Sequence, residues 1–201
     1  MRLLLIALAA VCCCTVAGAD GKGEHERRLA AELVVMAGDV RRLASDQGGP
    51  LERQGLEKRL AGALSSLPLL LRRAQGSSVA VAALRVALEQ RDWRGLAARL
   101  DTLKRHHPFD AHRLLGVAPT ADVLALGASI HKSTCAACHD APAADSLLPA
   151  KNLAMQMKSM SREEFAARLW LGVRGDKTTA LANPFSDAEL AALIVWYGGT
   201  R

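Results

Sequence analysis

The chain has 201 residues, of which 50% are hydrophobic, only 3% are aromatic and 23% are charged, with a formal net charge of +6. No fixed period repeats along it and no tract has low complexity, which excludes repeat arrays and low-complexity linkers. The sequence also has no Gly-rich phosphate loop, no Ser/His/Asp set and no paired carboxylates that would favour a nucleotide-binding or hydrolytic enzyme.

The first 19 residues have the layout of a secretory signal peptide. Arg2 is followed by an apolar run over residues 3–14, and Ala17-Gly18-Ala19 matches the small-x-small cleavage pattern. The apolar run is too short for a membrane-spanning helix. We therefore expect cleavage after Ala19 and export to the periplasm. An uncleaved anchor is the alternative, whereas a lipoprotein is less favoured because no cysteine here has both a Leu three positions before it and a small residue just before it. Membrane association stays open.

Residues 24–116 are rich in Ala, Leu and Arg and predict an antiparallel helical bundle. Hydrophobic stripes at helical spacing predict four helices, with a break at Gly48-Gly49-Pro50 and an interruption of the second helix at Pro68. Asp92 is expected to cap the fourth helix, which stops at His106-His107-Pro108. The first two stripes comprise Leu29, Leu33, Met36, Val40 and Leu43, and then Leu56, Leu60, Ala63, Leu64 and Leu67.

The basic excess of the chain lies in this predicted bundle. Residues 24–116 contain 16 lysines and arginines against 11 aspartates and glutamates, whereas residues 117–201 contain 8 of each kind. A basic surface can steer an acidic partner or an anionic membrane, although the ordinary solubility of an arginine-rich protein is the favoured explanation of the excess. Nucleic acid is not expected as the partner of an exported protein of this kind.

Signal cleavage leaves a single pair of cysteines. Of the five cysteines, only Cys135 and Cys138 lie beyond the predicted signal peptide, and His139 follows them directly. Cys-x-x-Cys-His is the attachment pattern of c-type haem, in which each thiol forms a thioether with one vinyl group and the histidine is the proximal iron ligand. A zinc site would need two more Cys or His ligands at matching spacing, and a thioredoxin-like pair would need a βαβ pattern, which is absent.

Two further segments flank this motif. Gly127-Ala128-Ser129-Ile130-His131 precedes it, and Pro149-Ala150-Lys151-Asn152-Leu153 follows it. The segments and the motif together resemble the first helix, the haem motif and the Gly-Pro-Asn-Leu loop of class I cytochromes c, although His131 stands where an aromatic residue is usual. The resemblance covers residues 120–199 and implies a monohaem cytochrome c domain over residues 117–201.

The resemblance also implies roles for particular residues. The carbonyl of Pro149 is expected to accept a hydrogen bond from His139, which would fix the tautomer of that ring. The last helix is expected to cross the first helix of the domain at Gly127, with Trp196 or Tyr197 packed nearby.

Two capping boxes predict the helices that follow the motif. Ser161 and Ser186 each begin a Ser-x-x-Glu pattern ahead of apolar residues at helical spacing. Each pattern predicts the start of an amphipathic helix. The first of these helices is expected to end at Gly172 or Gly175.

The chain departs from the family at the second iron ligand. Most class I cytochromes c carry a Met-Pro between the last two helices, but residues 175–185 contain no methionine. Met155, Met157 and Met160 lie upstream instead, where they either ligate the iron or fill space at the haem edge as soft apolar groups. The position could also be open, or it could be filled by His131, His106, His107, His112 or Lys177, the last of which is expected to be protonated.

The sequence therefore predicts an all-α protein with one covalent haem c, in which a helical bundle over residues 24–116 precedes a class I cytochrome c-like domain. The favoured function is a non-enzymatic periplasmic electron carrier or cytochrome subunit. Its redox partners, acidic proteins among them, would dock at the haem edge or on the basic bundle. The alternative is a haem-based sensor or peroxidase-like protein whose iron has an open or weakly ligated position.

Overall fold

A computed structural model gives the fold and describes residues 21–45, 48–142, 145–172 and 184–199. Within these ranges the chain is all-α, as predicted. The predicted signal peptide and residues 173–183 of the loop before the last helix lie outside the described residues. The elements are α1 Gly21–Ala44, α2 Pro50–Arg73, α3 Ala80–Glu89, α4 Trp93–His106, α5 His112–Leu115, α6 Ala121–Ile130, a π-helical segment His131–Cys135, α7 Ala136–His139, α8 Leu153–Lys158, α9 Arg162–Leu171 and α10 Asp187–Gly199.

The first four helices surround one hydrophobic core, called the N-terminal core below. Helix α1 contacts α2 and α4, α2 contacts α3, and α3 contacts α4. The stripes predicted from helical spacing face this core, because every member of the α1 stripe is buried and Leu56 alone of the α2 stripe is only partly buried. The core therefore forms from the apolar face that each of these sequences presents at a period of 3.6 residues.

The predicted interruption at Pro68 is wrong, since α2 continues through this residue to Arg73. Proline has no N–H, so the carbonyl of Leu64, four residues earlier, loses its usual partner within the helix. The guanidinium of Arg85 in α3 donates to that carbonyl at 3.1 Å. A neighbouring helix thus satisfies the carbonyl that the proline leaves free, and the helix continues.

Side-chain caps begin three of the helices as predicted. Asp92, Ser161 and Ser186 each accept a hydrogen bond from the backbone N–H three residues later, at 2.9, 3.1 and 3.4 Å. The box at Ser186 is complete, because the carboxylate of Glu189 accepts the backbone N–H of Ser186 at 2.8 Å. Helix α9 ends at Gly172, where a φ of 66° is the left-handed conformation that favours glycine.

The cysteine motif lies at the end of a nearly continuous helical rod. Helix α6, the π-helical segment and α7 follow one another without a break from Ala121 to His139. Helix α10 crosses α6 at Gly127, where an added Cβ would overlap the carbonyl of Ala192 and lie 2.7 Å from the Cβ of Trp196. The crossing at Gly127, with Trp196 beside it, is the one expected from the resemblance.

Helix α1 is shared between two cores. Its Ala30, Ala31, Val34 and Val35 face away from α2 and α4 and join a second cluster, called the C-terminal core below. This cluster also contains residues of α5, α6 and α8–α10 and Phe109. Residues 109–115 thus pack with the C-terminal core although they precede the predicted boundary at 116/117, and that division stays a prediction.

Buried ion pairs fasten α1 to α9. Asp39 of α1 and Glu164 of α9 are 0% and 1% exposed. Arg168 of α9 pairs with both carboxylates, and Arg42 of α1 reaches Glu164 at 2.7 Å. Gly38 makes this close approach possible, since a Cβ there would overlap the Glu164 carboxylate.

None of the helices in the described part of the chain is long and apolar enough to cross a membrane.

Candidate haem-attachment site

The two thiols lie one turn apart. Cys135 ends the π-helical segment and is partly buried, whereas Cys138 lies in α7 and is exposed. Residues three apart in a helix share a face, so both sulfur atoms lie on the same side of the rod. Both cysteines are free thiols. This arrangement places two nucleophilic sulfur atoms one helical turn apart.

The predicted proximal ligand is oriented by a backbone carbonyl, but not by that of Pro149. Nδ1 of His139 lies 2.7 Å from the carbonyl oxygen of Lys151, two residues further along. The physical reason lies in Asn152, whose side chain caps α8 by accepting the N–H of Met155 at 3.1 Å and so fixes the residue before it against the ring. Lys151 directly precedes Asn152-Leu153, the position that proline occupies in the family's Gly-Pro-Asn-Leu loop.

This hydrogen bond sets the chemistry of the His139 ring. A carbonyl can only accept, so Nδ1 carries the proton and Nε2 keeps its lone pair. A ring held in this tautomer is prepared to bind a metal through Nε2. His139 itself is partly buried.

The loop that carries Lys151 rests on the N-terminal helices. The ammonium of Lys151 forms an ion pair with Glu52 of α2. In the same loop, a methyl group of Leu148 lies 3.6 Å from the position that a Cβ on Gly55 would take. Helix α2 therefore helps to place the carbonyl that orients His139.

His131 is buried in a polar network beside the thiols. It is 7% exposed, with Nδ1 at 2.8 Å from the Tyr197 hydroxyl and Nε2 at 2.8 Å from Oδ2 of Asp140. The indole of Trp196 covers its ring at 4.4 Å between centroids. Both ring nitrogens are thus occupied, which removes His131 from the candidates for the second iron ligand in this conformation.

Tyr197 also neighbours the Cys135 thiol. Burial raises the pKa of Cys135 above its ordinary value, and the contact with Tyr197 offsets part of this rise. Burial likewise raises the pKa of Tyr197, with the neighbouring Cys135 as the next cause. Both groups therefore carry their protons at neutral pH.

The three methionines have different surroundings. Met157 is buried in the C-terminal core, and the Sδ atom of Met160 accepts from Arg42 at 3.8 Å. Met155 is 63% exposed and lines a cleft of about 370 Å³ together with Asp140 and Lys158. Only Met155 of the three therefore presents its sulfur to a cleft near the motif.

Two of the remaining candidate histidines lie elsewhere. His106 and His107 line a separate groove beside Arg113 and Trp170, which shares no residue with the cleft of Met155. Lys177, the candidate from the loop before the last helix, lies outside the described residues.

The residues around the motif fit a covalent haem. Leu147 and Leu148 are 85% and 52% exposed in the loop that orients His139, and a large apolar group bound on this side would cover such side chains favourably. Within the described ranges no group of three or more His, Cys, Asp or Glu side chains could hold a bare metal ion. A haem brings four nitrogen ligands of its own, so a single histidine and two thiols suffice to anchor it.

Comparisons of the chain with protein-family models, with curated proteins and with solved structures found no match.

The contacts of four residues at this site were not predicted from the sequence. The roles of Lys151, Asp140, Tyr197 and Glu52 depend on contacts between segments that are distant along the chain. A signal existed only for Lys151, because its position before Asn152-Leu153 matches the family loop better than that of Pro149 does.

Proposed function

We propose that the protein is an exported monohaem c-type cytochrome that passes electrons between redox partners. The observation that carries the proposal is the joint placement of three groups, namely Cys135, Cys138 and the His139 ring bonded through Nδ1 to the Lys151 carbonyl at 2.7 Å. The bound haem supplies one-electron redox chemistry. The chain holds it by two thioethers, orients its proximal histidine and covers part of its edge.

Small, transient docking contacts suit such a carrier. The excess of positive charge over residues 24–116 would draw an acidic redox protein towards the molecule through long-range electrostatics. Mutating the arginines of this part should slow association at low salt and have little effect at high salt, because salt screens exposed charges. Attraction of the redox partner by the N-terminal helices is thus part of the same proposal.

The first experiment measures covalent haem and location together. The full chain is expressed in a bacterial host that attaches haem c in its periplasm. We expect one haem per chain that resists acid–acetone extraction, and a mature N-terminus at Asp20. The variant His139→Ala should lose the proximal ligand, and the double variant Cys135→Ala/Cys138→Ala should lose all covalent haem. The matched control His106→Ala should keep the proximal ligand and the covalent haem. A chain that reaches the periplasm with both thiols unmodified would refute the proposal.

A haem-based sensor is the second candidate, and the surroundings of the methionines favour it. Met157 is buried and Met160 contacts Arg42, so only Met155 offers a sulfur atom from that segment. The absorption spectrum with carbon monoxide separates the two functions. A low-spin ferrous spectrum that carbon monoxide leaves unchanged supports the carrier, and a high-spin form that binds the gas supports the sensor. Met155→Ala, with Met160→Ala as control, tests whether that sulfur ligates the iron.

A further inference from the structure

The carbonyl that accepts from His139 lies in a loop with little support from its own backbone. Residues 145–151 form no backbone hydrogen bond with other backbone groups in the part of the chain that the structure describes. They also lie between helices, since α7 ends at His139 and α8 begins at Leu153. The position of the Lys151 carbonyl therefore depends on side-chain contacts.

Side chains hold Lys151 from two directions. On the C-terminal side, the side chain of Asn152 caps α8 by accepting the N–H of Met155 at 3.1 Å. From the other direction, the Lys151 ammonium forms an ion pair with Glu52 of α2, which lies 99 positions earlier in the chain. Because the ammonium and the carbonyl belong to the same residue, the ion pair restrains the residue that orients His139.

The loop touches α2 at two points on one face of that helix. Glu52 and Gly55 are three residues apart and so share a face. Glu52 pairs with Lys151, and a methyl group of Leu148 lies 3.6 Å from the position of a Cβ on Gly55. The carboxylate and ammonium side chains are 30% and 55% exposed, and an exposed pair adds little to the stability of the whole fold. Its effect is instead local, on a loop whose backbone is otherwise unbonded.

A hydrogen bond from the proximal histidine acts on the iron that the histidine binds. A ring whose Nδ1–H is bonded to a carbonyl donates electron density more strongly through Nε2. Stronger donation favours ferric iron, and hydrogen bonding around the ligand is one way in which a protein sets the potential of a haem. A contact that holds the Lys151 carbonyl against His139 therefore lowers the reduction potential.

We propose that Glu52 is a positioning residue for His139, through which helix α2 lowers the reduction potential of the haem. Glu52 acts through Lys151, whose carbonyl lies 2.7 Å from Nδ1 of His139. This role rests on the proposed function, because it concerns the ligand of a bound haem. It gives the N-terminal helices a part in setting the potential that is separate from their attraction of a partner.

The test compares two neutral variants of the ion pair in the haem-loaded full chain. Glu52→Gln and Lys151→Leu each break the pair, so both should raise the reduction potential measured by spectroelectrochemical titration. An exposed ion pair biases an equilibrium by roughly two- to fivefold. This corresponds to about 20–40 mV, since a tenfold change for one electron is about 59 mV. The double variant should match either single variant, because both side chains act through one interaction.

The direction of the shift separates positioning from a direct effect of charge on the iron. Through space, loss of the negative Glu52 would raise the potential, whereas loss of the positive Lys151 would lower it. Positioning predicts a rise in both variants. A fall in the potential of Lys151→Leu, or no change, would therefore overturn the role of Glu52.

Glu57→Gln is the matched control. Glu57 lies in the same helix, is 28% exposed and pairs with Arg91 at 3.1 Å instead of with the loop. Its loss should shift the potential far less than the loss of Glu52. Nuclear magnetic resonance gives a second readout, in which the Nδ1 proton of His139 should exchange with water several-fold faster in Glu52→Gln and at the parent rate in Glu57→Gln. Equal exchange rates in the two variants would show that Glu52 does not hold this hydrogen bond.

Covalent haem is measured before the potential, which keeps the two proposals apart. A parent chain without covalent haem would overturn the proposed function and the role of Glu52 with it. A parent chain that carries haem, but whose potential does not rise in Lys151→Leu, would overturn the role of Glu52 alone and leave the cytochrome proposal intact.

Discussion

Gly127 determines how closely α6 and α10 approach each other. The space that a side chain would need is filled by the backbone carbonyl of Ala192 and by the Cβ of Trp196 at 2.7 Å. Backbone atoms of a buried helix cannot move aside as the end of a flexible side chain can. The residues of α10 that reach the site, Trp196 and Tyr197, are therefore positioned by the absence of a side chain on α6.

The first prediction at this scale concerns Gly127→Ala. Forcing the two helices apart should lower the free energy of unfolding by about 3 kcal/mol, measured by urea denaturation. Gly62→Ala is the matched control, since Gly62 lies in α2 with nothing within 4 Å of its added Cβ. That change should raise stability by about 0.5–1 kcal/mol. Equal effects of the two substitutions would contradict the close helix crossing.

The second prediction concerns the two thiols in the haem-free chain. Burial raises the pKa of Cys135, and its sulfur is less accessible than that of exposed Cys138. Iodoacetamide at neutral pH should therefore alkylate Cys138 several-fold faster than Cys135, as read by peptide mass spectrometry.

The neutral thiol of Cys135 stabilises the fold below pH 9.0, and this contribution is lost as the pH rises through the raised pKa of Cys135. Equal alkylation rates in the folded chain would show that Cys135 is not buried.

At the scale of elements, α1 and α9 are joined through two buried carboxylates, Asp39 and Glu164, and their arginine partners. Burial alone would raise the pKa of Glu164, but Arg168 and Arg42 outweigh it and hold the pKa below its ordinary value of 4.5. Burial would lower the pKa of Arg168, whereas Asp39 and then Glu164 raise it. Glu164 and Arg168 are thus both ionised at neutral pH.

The third prediction follows from this junction. Glu164→Gln leaves Arg168 and Arg42 with less compensating charge and should cost about 3 kcal/mol of stability. Glu163→Gln, one residue earlier and only partly buried, is the control and should change stability by less than about 0.5 kcal/mol.

The ionised Glu164 stabilises the parent chain fully above pH 4.5, and this contribution is lost as the pH falls through the lowered pKa of Glu164. Urea denaturation at a series of acidic pH values should show a shallower loss in Glu164→Gln, and identical profiles would contradict the assignment.

Helical spacing and capping boxes were enough to predict α1 to α4, α9 and α10, but not all of their contacts. The buried stripe from Leu29 to Leu43 and the cap at Asp92 follow from local pattern, because a helix and its cap are decided within a few residues. The continuation of α2 through Pro68 depends on Arg85 in another helix, so the local sequence could not predict it. The same reason explains why the pairing of Arg42 with Glu164, 122 residues apart, was not predicted.

The second face of α1 could have been found. Ala30, Ala31, Val34 and Val35 are apolar and lie beside the predicted stripe, so this part of the helix is hydrophobic on more than one side. A helix of that kind is buried within a larger structure, not on its surface. At the candidate site, by contrast, the motif identified Cys135, Cys138 and His139, whereas the acceptor for His139 required the fold.

At the scale of the whole molecule, α1 contributes residues to both the N-terminal and the C-terminal core, and we expect it to make them one cooperative unit. Separating the two cores would expose the apolar face of α1 that belongs to the C-terminal core. It would also leave Asp39 and Glu164 without some of their arginine partners. Exposed apolar surface and unpaired buried charge are both strongly unfavourable. Neither core should therefore unfold while the other persists.

The fourth prediction uses the tryptophans as local reporters of this coupling. Trp93 packs against the N-terminal core, whereas Trp170 and Trp196 pack against the C-terminal core. The variant Trp93→Phe keeps only the tryptophans of the C-terminal core, and the double variant Trp170→Phe/Trp196→Phe keeps only that of the N-terminal core. The thermal unfolding of each variant is followed by tryptophan fluorescence, which reports on one core, and by helix content, which reports on the whole chain. Within each variant the fluorescence and helix transitions should coincide, because α1 must leave both cores at once. Adding Glu164→Gln to each should lower both midpoints of that variant together. A fluorescence midpoint that departs from the helix midpoint would show that the two cores unfold independently and that the contacts of α1 do not couple them.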